Sequence, residues 1–313
     1  MGVLKNEFTW SASRSRTYAY CARQYWWNYY GSWGGWDRNA PGEAREAYML
    51  KNLANRWTWP GTMVHDTIEG ILREQLGGGG QGALGFAEPA DPDVVIEKAT
   101  EAMREQWVIS RNAEYRRRPK KAFGLVEHEY DEVLPRAEWK KANDKVRDGL
   151  RAFLASDLYE RIRSSDPGTW LPIETLDKFD FEGVGVWAVL DFAWRLPDGR
   201  IEIFDWKTGE VKPEANMLQL GCYALYVGQK YGVTAEQVTT HLVYLGEDIQ
   251  DMAFEVSEKD LLETRGEMRA SIAAMRTRLR DKDENVAVRD DFAMTDDLGK
   301  CRICAFRRLC GRE

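Results

Sequence analysis

The 313-residue chain lacks several features that would place a protein in a class at once. It contains no apolar run near 18 residues, which excludes a typical membrane-spanning helix, and its N-terminus carries no signal-peptide pattern. Positive charge is not in excess, since the net charge is −7. This balance excludes a general DNA-coating protein and requires any nucleic-acid contact to be local. We therefore expect a soluble, cytoplasmic protein without a membrane partner, with one large or two modest domains.

Cysteine is scarce, with five residues, but the spacing of these residues is informative. Cys301, Cys304 and Cys310 form a C-x2-C-x5-C pattern. With no histidine nearby, a metal site there is one ligand short, and Cys21 is the best candidate for the fourth. Four thiolates suit either a structural zinc ion or a [4Fe–4S] cluster, and the spacing leaves that choice open. The fifth cysteine, Cys222, is expected to be a small buried hydrophobe.

A hairpin is predicted in the middle of the chain. Residues 186–196 and 200–207 are apolar enough to form strands, and the Pro-Asp-Gly sequence at 197–199 suits a three-residue hairpin loop. The register that this loop imposes places Asp191 opposite Asp205, on one face of the sheet. A two-residue loop would place the two carboxylates on opposite faces.

Asp191, Asp205 and Lys207 are predicted to share that face, because side chains alternate along a strand. Two carboxylates this close cannot both stay ionised without compensation, and Lys207 supplies only one positive charge. A hard divalent ion, Mg²⁺ or Mn²⁺, bound by the two aspartates is the simplest compensation, with the lysine steadying an attacking water. The pattern favours a metal-dependent phosphodiesterase site, and the alternative is a surface hairpin with ordinary ion pairs.

These residues resemble the PD-(D/E)XK nuclease superfamily, whose signature is an acidic residue on one strand followed by (D/E)-x-K on the next. Asp191 and Asp205-x-Lys207 match that signature. Gln219 and Tyr223 lie four residues apart on a predicted helix from about 216 to 230, and they match the Q-x-x-x-Y motif of the RecB-like branch. The resemblance implies that these five residues are catalytic. Taken alone, the last two would indicate only a half-buried helix.

The resemblance extends to the metal ligands. RecB-like nucleases carry a histidine on an early helix that joins the metal site, and His65, on a helix predicted to start after Gly61, matches it. The alternative is a histidine satisfied within the core. An additional acidic residue often precedes the first metal-binding aspartate in these families, and Glu174 is the nearest match.

One cysteine before the predicted core and three after it is a layout similar to that of the iron–sulfur nucleases. They include the AddB nuclease domain and the four-cysteine CRISPR-associated nucleases of the fourth Cas family. This likeness implies a [4Fe–4S] cluster, in preference to zinc, on Cys21, Cys301, Cys304 and Cys310.

The fold implied is α/β, with a restriction-endonuclease-like mixed-sheet core, a large helical N-terminal region, and a C-terminal helix followed by a cysteine tail. We expect an aromatic helical segment at 1–60, a helical region at 61–165, the catalytic core at 166–250, and the C-terminal helix and cysteines at 251–313. The glycine run at 77–80 predicts a flexible loop. A further strand is predicted at 238–245, and the sequence at 257–260 predicts the start of a long helix towards Asp281.

Two further patterns concern nucleic acid. A local basic stretch is predicted to be helical and to contact DNA phosphates; the alternative is a solvated face. It comprises Arg116, Arg117, Arg118, Lys120 and Lys121. Seven of the 13 tryptophans lie in the first 60 residues. Most of the aromatic residues there are expected to pack around the cysteine site, with Trp33 or Trp36 able to face nucleic acid.

By family likeness, the expected activity is Mg²⁺- or Mn²⁺-dependent exonucleolytic trimming of single-stranded DNA ends. It would serve repair, recombination, phage replication or CRISPR adaptation, with a helicase or a recombination or adaptation partner. Three alternatives stay open: a DNA-binding accessory subunit with an idle nuclease fold, a zinc or iron–sulfur sensor that needs only the cysteines, and an RNA substrate.

Overall fold

The computed structural model describes residues 4–78 and 91–312, which contain eleven α-helices and nine β-strands. The helices are α1 (Ala12–Tyr20), α2 (Ala22–Trp26), α3 (Gly42–Leu50), α4 (Trp59–Gly78), α5 (Pro92–Arg111), α6 (Val126–Glu129), α7 (Arg136–Leu154), α8 (Asp157–Arg163), α9 (Met217–Tyr231), α10 (Glu258–Arg276) and α11 (Leu298–Arg302). The strands are β1 (Thr9–Trp10), β2 (Asp177–Phe181), β3 (Val184–Ala188), β4 (Phe192–Arg195), β5 (Ile201–Lys207), β6 (Val238–Leu245), β7 (Ile249–Glu255), β8 (Leu279–Asp281) and β9 (Val286–Ala287). The predicted α/β class is confirmed.

A four-stranded mixed sheet in the order β4-β5-β6-β7 forms the centre. Strands β5 and β6 run parallel, and both outer pairs are antiparallel. Every residue of β6 is buried, because this strand has a partner on each side and is covered on both faces. A second sheet has the order β1-β3-β2, and β8 pairs with β9.

The mixed sheet separates two hydrophobic cores. Ile201 and Ile203 of β5 pack into the core that includes α9 and α10, whereas Phe204 and Trp206 pack into the core that includes α4, α5 and α7. This division follows from the two-residue alternation of side chains along the strand. The odd-numbered residues of β5 therefore face α9.

The hairpin between β4 and β5 has the predicted register. Gly199 adopts φ +90°, the left-handed conformation that the loop requires, and the Leu196 N–H donates to the Arg200 carbonyl at 2.8 Å. Phe192 lies opposite Phe204, so the ladder ends one residue short of Asp191 and Asp205. The Trp206 N–H donates to Asp191 Oδ2 and keeps Asp191 next to the end of β5.

The single strand predicted for residues 186–196 is wrong. The chain forms β3 and β4, which belong to different sheets, and residues 189–191 lie between them. Strand β3 pairs with β1 and β2, while the Leu190 carbonyl accepts a hydrogen bond from the Glu174 N–H at 2.9 Å. Asp191 thus lies just before β4 rather than within a strand.

Several predicted elements are confirmed and others need correction. Helix α9 and strand β6 match their predicted ranges, and α10 begins at a capping box of Ser257 and Asp260. However, α10 ends at Arg276 rather than near Asp281, because the chain turns there into β8. The basic stretch, predicted to be helical, is helical only at its start: Arg116 ends a short 3₁₀ helix that begins at Glu114, and turns follow.

Helix α4 begins at Trp59, three residues earlier than predicted, with Pro60 in the first turn, where its missing N–H costs nothing. The same helix continues to Gly78, so the first half of the glycine run is helical rather than loop. The remainder, 79–80, lies outside the described residues.

The division into four segments remains a proposal, although two strands connect the segments. Strand β1, from the first segment, pairs with β3 of the core, and β7 continues past residue 250. Within the described ranges, no helix has both the length and the apolar character needed to cross a membrane.

Candidate active site

The C-terminal end of β5 carries an ion pair inside the protein. Asp205 and Lys207 continue the face of Ile201 and Ile203, which is directed towards α9. Asp205 is buried, and the Lys207 ammonium forms an ion pair with Asp205 Oδ2. A carboxylate removed from water in this way requires charged or hydrogen-bonding neighbours.

Helix α9 supplies those neighbours. Gln219 Nε2 donates to Asp205 Oδ1 at 3.0 Å and to the Tyr223 hydroxyl oxygen at 2.7 Å. The two α9 residues are one helical turn apart and therefore reach the same point. Burial raises the pKa of Tyr223 well above its usual value, so its hydroxyl stays neutral. The two oxygens of Asp205 thus have different partners, an amide and an ammonium.

Asp191 joins the hairpin to helix α4. Its Oδ2 accepts a hydrogen bond from the Trp206 N–H at 2.7 Å and lies 3.4 Å from His65 Nδ1. The same imidazole nitrogen lies 3.9 Å from Glu174 Oε1. Potential ligand atoms of His65, Glu174 and Asp191 all lie within 4.8 Å of one another, a spacing that suits a single metal ion.

Glu174 is held in an unusual backbone conformation. Its φ of 43° lies in the left-handed region, which costs a residue other than glycine about 1–3 kcal/mol and is seen most often at functional sites. The preceding residue is tied to α4, because Arg73 donates to the Ile173 carbonyl at 2.8 Å. The sequence indicated Glu174 only by its position before Asp191, and it gave no signal for Arg73.

The electrostatics of the site indicate a shortage of positive charge. Burial raises the pKa of Asp205 to about 6, and the charge of Asp191 adds to the rise. Burial also raises the pKa of Glu174, against the opposing effect of His65. For His65, burial lowers the pKa, but the Asp191 and Glu174 carboxylates outweigh it and raise the pKa to about 10. A divalent cation would relieve this imbalance.

The four cysteines predicted to bind a cluster come together from both ends of the chain. Cys21, Cys301, Cys304 and Cys310 line one cavity, whereas Cys222 is buried in the core beneath α9. The donor set is entirely sulfur, and such sites bind zinc or iron–sulfur clusters.

N–H groups point at two of these sulfur atoms. The Phe306 N–H lies 3.4 Å from Cys304 Sγ, and Trp27 Nε1 lies 3.3 Å from Cys310 Sγ. Burial raises the pKa of Cys304 to about 12 and that of Cys310 above its usual value. The thiols are therefore neutral until a metal displaces their protons.

Protein contacts join the two ends of the chain around this cavity. The Arg23 N–H donates to the Ala293 carbonyl at 3.0 Å, and the rings of Trp27 and Phe306 stack with centroids 6.3 Å apart. The aromatic residues near Cys21 divide between two cores, however. Trp27 packs beside the cysteines, but Tyr25 belongs to the core beneath α9, so the expectation that most would surround the cysteines is wrong.

The basic stretch lies next to α3 and α6 and does not contact the acidic hairpin. Arg116 pairs with Glu129 at 2.9 Å, and Arg118 pairs with Glu114 at 2.8 Å. The remaining side chains are exposed and form no ion pair with any residue in the described ranges; they are Arg117, Lys120 and Lys121.

The sequence model of the PD-(D/E)XK nuclease superfamily matches residues 9–311, a span that includes the acidic hairpin and all five cysteines. The helices and mixed sheet agree with the restriction-endonuclease-like fold. No curated protein matches the chain significantly.

Proposed function

The chain belongs to the PD-(D/E)XK nuclease superfamily, and on that premise we propose that it is a metal-dependent deoxyribonuclease that trims single-stranded DNA ends. The observation that carries this proposal is the convergence of Asp191, Asp205 and Lys207 with three residues from outside the hairpin. Those three are His65 and Glu174, which approach Asp191, and Gln219, which donates to Asp205. An ordinary surface hairpin would not require such neighbours.

The ligands for Mg²⁺ or Mn²⁺ are assigned to His65, Glu174 and Asp191, with Asp205 beside them. Carboxylate oxygens are the donors that these hard cations prefer, and the atoms of the first three residues lie close enough to share one ion. When bound, the ion supplies a Lewis acid for a phosphate oxygen and lowers the pKa of a water molecule.

The other residues orient the reacting groups. Asp205 holds the Lys207 ammonium, which stabilises the negative charge that develops on the phosphate or steadies the attacking water. Gln219 fixes the second oxygen of Asp205 and keeps Tyr223 at the site. The Trp206 N–H fixes one oxygen of Asp191, so that carboxylate does not rotate freely.

The RecB/AddB-like branch and its [4Fe–4S] cluster form the second part of the proposal. The Gln219–Tyr223 pair and the histidine on α4 support the branch, while the four cysteines around one cavity support the cluster. In this assignment the protein acts in the cytoplasm with a helicase or a recombination or adaptation partner, in repair, phage replication or CRISPR adaptation.

The test is a cleavage assay with protein purified anaerobically. Single- and double-stranded DNA, labelled at the 5′ or the 3′ end, is incubated with Mg²⁺, with Mn²⁺ or with EDTA, beside the variants Asp205→Ala and Lys207→Ala. We expect metal-dependent release of short products from single strands, lost in both variants, and the label that disappears first gives the polarity. An RNA strand of the same sequence should be cut more slowly.

Wild-type protein that retains its cluster and binds DNA but cuts no strand would overturn the nuclease and favour an accessory subunit. Cleavage that persists in Asp205→Ala and Lys207→Ala would instead indicate a contaminating nuclease or another site.

A further inference from the structure

A cavity whose lining shares no residue with the Asp191–Asp205 site is rich in arginine. It lies where α3, the turns after α5 and the C-terminal tail meet, and its volume of about 450 Å³ falls in the range of 300–1,000 Å³ typical of ligand sites. Its cationic lining is Arg38, Arg45, Arg116, Arg117 and Arg308. We call it the arginine cavity. In a chain with a net charge of −7, such a local excess of positive charge calls for an explanation.

Buried Glu129 forms ion pairs with two of the five arginines. Arg116 and Arg308 each approach its Oε1 at 2.9 Å, and the Tyr115 hydroxyl donates to its Oε2 at 3.0 Å. This carboxylate is fully enclosed, so it fixes the wall of the cavity. Arg308 also lies 3.5 Å from Glu46, which lines the same cavity.

The other three arginines are not neutralised in this way. Arg38, Arg45 and Arg117 are exposed and form no ion pair within the part of the chain that the structure describes. Asp37 also lines the cavity and offsets one of the three charges. Water solvates these exposed guanidinium groups, so an anionic ligand can bind them without first breaking an ion pair.

An aromatic ring accompanies these charges. Trp36 lines the arginine cavity and is 45% exposed, although the ring has two edge-on neighbours, Trp33 at 5.1 Å and Tyr48 at 6.0 Å between centroids. The loop is also packed tightly on α3, because a Cβ at Gly35 would lie 2.2 Å from the Ala44 carbonyl oxygen. The ring is therefore presented in a fixed position at little entropic cost.

We propose that the arginine cavity binds single-stranded DNA outside the segment being cut. The phosphates pair with Arg38, Arg45 and Arg117, and a base stacks on Trp36. Cationic side chains beside an exposed aromatic ring are the combination by which proteins hold single strands without reading their sequence. This inference rests on the proposed function in one respect, namely that the bound strand is the one cleaved at the Asp191–Asp205 site.

The test measures binding rather than cleavage. The affinity of the full-length protein for labelled oligothymidines of about 5 to about 40 nucleotides is measured by fluorescence anisotropy in EDTA, at several salt concentrations. The variants are Trp36→Ala, Trp36→Phe, Arg117→Ala and the double variant Arg38→Ala/Arg45→Ala. Arg104→Ala, which removes an exposed arginine on α5 outside the cavity, is the matched control.

For long strands, we expect Trp36→Ala to weaken binding about 5- to 50-fold and Trp36→Phe to restore most of it. Each arginine removed should make the negative slope of log K against log salt shallower by about 0.7, whereas Arg104→Ala leaves the slope unchanged. For strands that fill only the active site, all variants should bind as tightly as wild type.

Long strands that bind the variants as tightly as wild type at every salt concentration would overturn the proposal. Thymidine monophosphate that displaces long strands as efficiently as an oligonucleotide would also overturn it, in favour of a mononucleotide site. If wild-type protein cuts no DNA but shows the length-dependent loss in the variants, the proposed function fails while the strand-binding cavity stands.

Discussion

At the scale of single residues, Asp205 is the point where function opposes stability. The proposed mechanism needs its carboxylate, yet the side chain is buried, and burial together with Asp191 raises its pKa to about 6. A raised pKa means that the folded chain holds this proton more tightly than the unfolded chain does. The stability of the metal-free protein therefore falls as the pH rises from about 4 to above 6, as this carboxyl ionises.

Asp205→Asn should therefore stabilise the metal-free protein at pH 7, by about 2–3 kcal/mol, because the uncharged amide avoids the cost of ionisation. The gain should shrink towards zero as the pH approaches about 4, where the wild-type carboxyl is protonated. Urea unfolding in EDTA across this pH range measures the effect. Mg²⁺ should stabilise the wild type but not the variant.

Asp198→Asn is the control, since the hydrogen bond from Arg200 holds the pKa of this exposed carboxyl below its usual value. Removing that charge should give no gain in stability. An Asp205→Asn variant no more stable than wild type at pH 7 would show that ionising Asp205 costs the fold nothing.

At the scale of elements, the packing of α9 against α10 sets the position of the Gln219 amide. The two helices approach each other closely at Gly221, where a Cβ would lie 2.1 Å from Thr264 Oγ1 and 2.9 Å from its Cγ2. Gly221 lies two residues from both Gln219 and Tyr223. A shift of the helix there would move the amide away from Asp205.

Gly221→Ala should destabilise the protein by about 1–3 kcal/mol through overpacking, although alanine favours the helix by about 1 kcal/mol. Thermal unfolding measures this loss, and the additional change Thr264→Ala should recover most of it. Gly266→Ala on α10 is the matched control: apart from its chain neighbours and its own helix backbone, no atom of the described residues lies within 4 Å of its Cβ position, so it should be neutral or stabilising. A Gly221→Ala variant as stable as Gly266→Ala would contradict the close approach.

At the scale of the whole molecule, the cysteine cavity joins the two ends of the chain. Cys21 and Cys301 are separated by almost the entire sequence, so a metal held between them closes a very long loop and restricts the unfolded chain. Hydrogen bonds of Arg23 and Tyr30 with residues 285–293 also join the ends. We expect a bound metal to add to this stability, because it restricts the unfolded chain further.

Cys21→Ala and Cys304→Ala should lose the bound iron and lower the midpoint of thermal unfolding by at least about 5 °C. Cys222→Ala, which removes the fifth cysteine from a core without a metal, should keep the full iron content. Iron analysis and visible absorption of anaerobically purified protein measure these outcomes. Zinc without iron in the wild type would contradict the iron–sulfur assignment. A wild-type protein with neither metal would contradict the proposal that the four cysteines bind a metal.

The features that could be predicted from the sequence are those determined by residues close together along the chain. The loop at 197–199 imposes the register locally, so the pairing of Phe192 with Phe204, one residue from Asp191 and Asp205, follows from turn chemistry alone. The four-residue spacing on α9 likewise predicts that Gln219 and Tyr223 share a face, and they do.

The features that sequence analysis missed depend on distant segments. The break before Asp191 arises because β3 pairs with β1, more than 170 residues earlier in the chain. The contact of Glu174 with His65 requires a left-handed backbone that the residue type does not favour. The arginine cavity is built from segments near both ends and the middle of the chain, and no local pattern reports such a meeting.

The central claim is that Asp191 holds a catalytic metal while Lys207 acts on the substrate beside it. The most direct measurement determines Mn²⁺ affinity, by electron paramagnetic resonance, and single-strand cleavage rate on the same samples of wild type, Asp191→Asn and Lys207→Ala. We predict that Asp191→Asn loses both, with Mn²⁺ bound at least about 10-fold more weakly. Lys207→Ala should bind Mn²⁺ within about threefold of wild type yet cleave at least about 100-fold more slowly. Normal Mn²⁺ binding by Asp191→Asn, or normal cleavage by Lys207→Ala, would contradict the assignment.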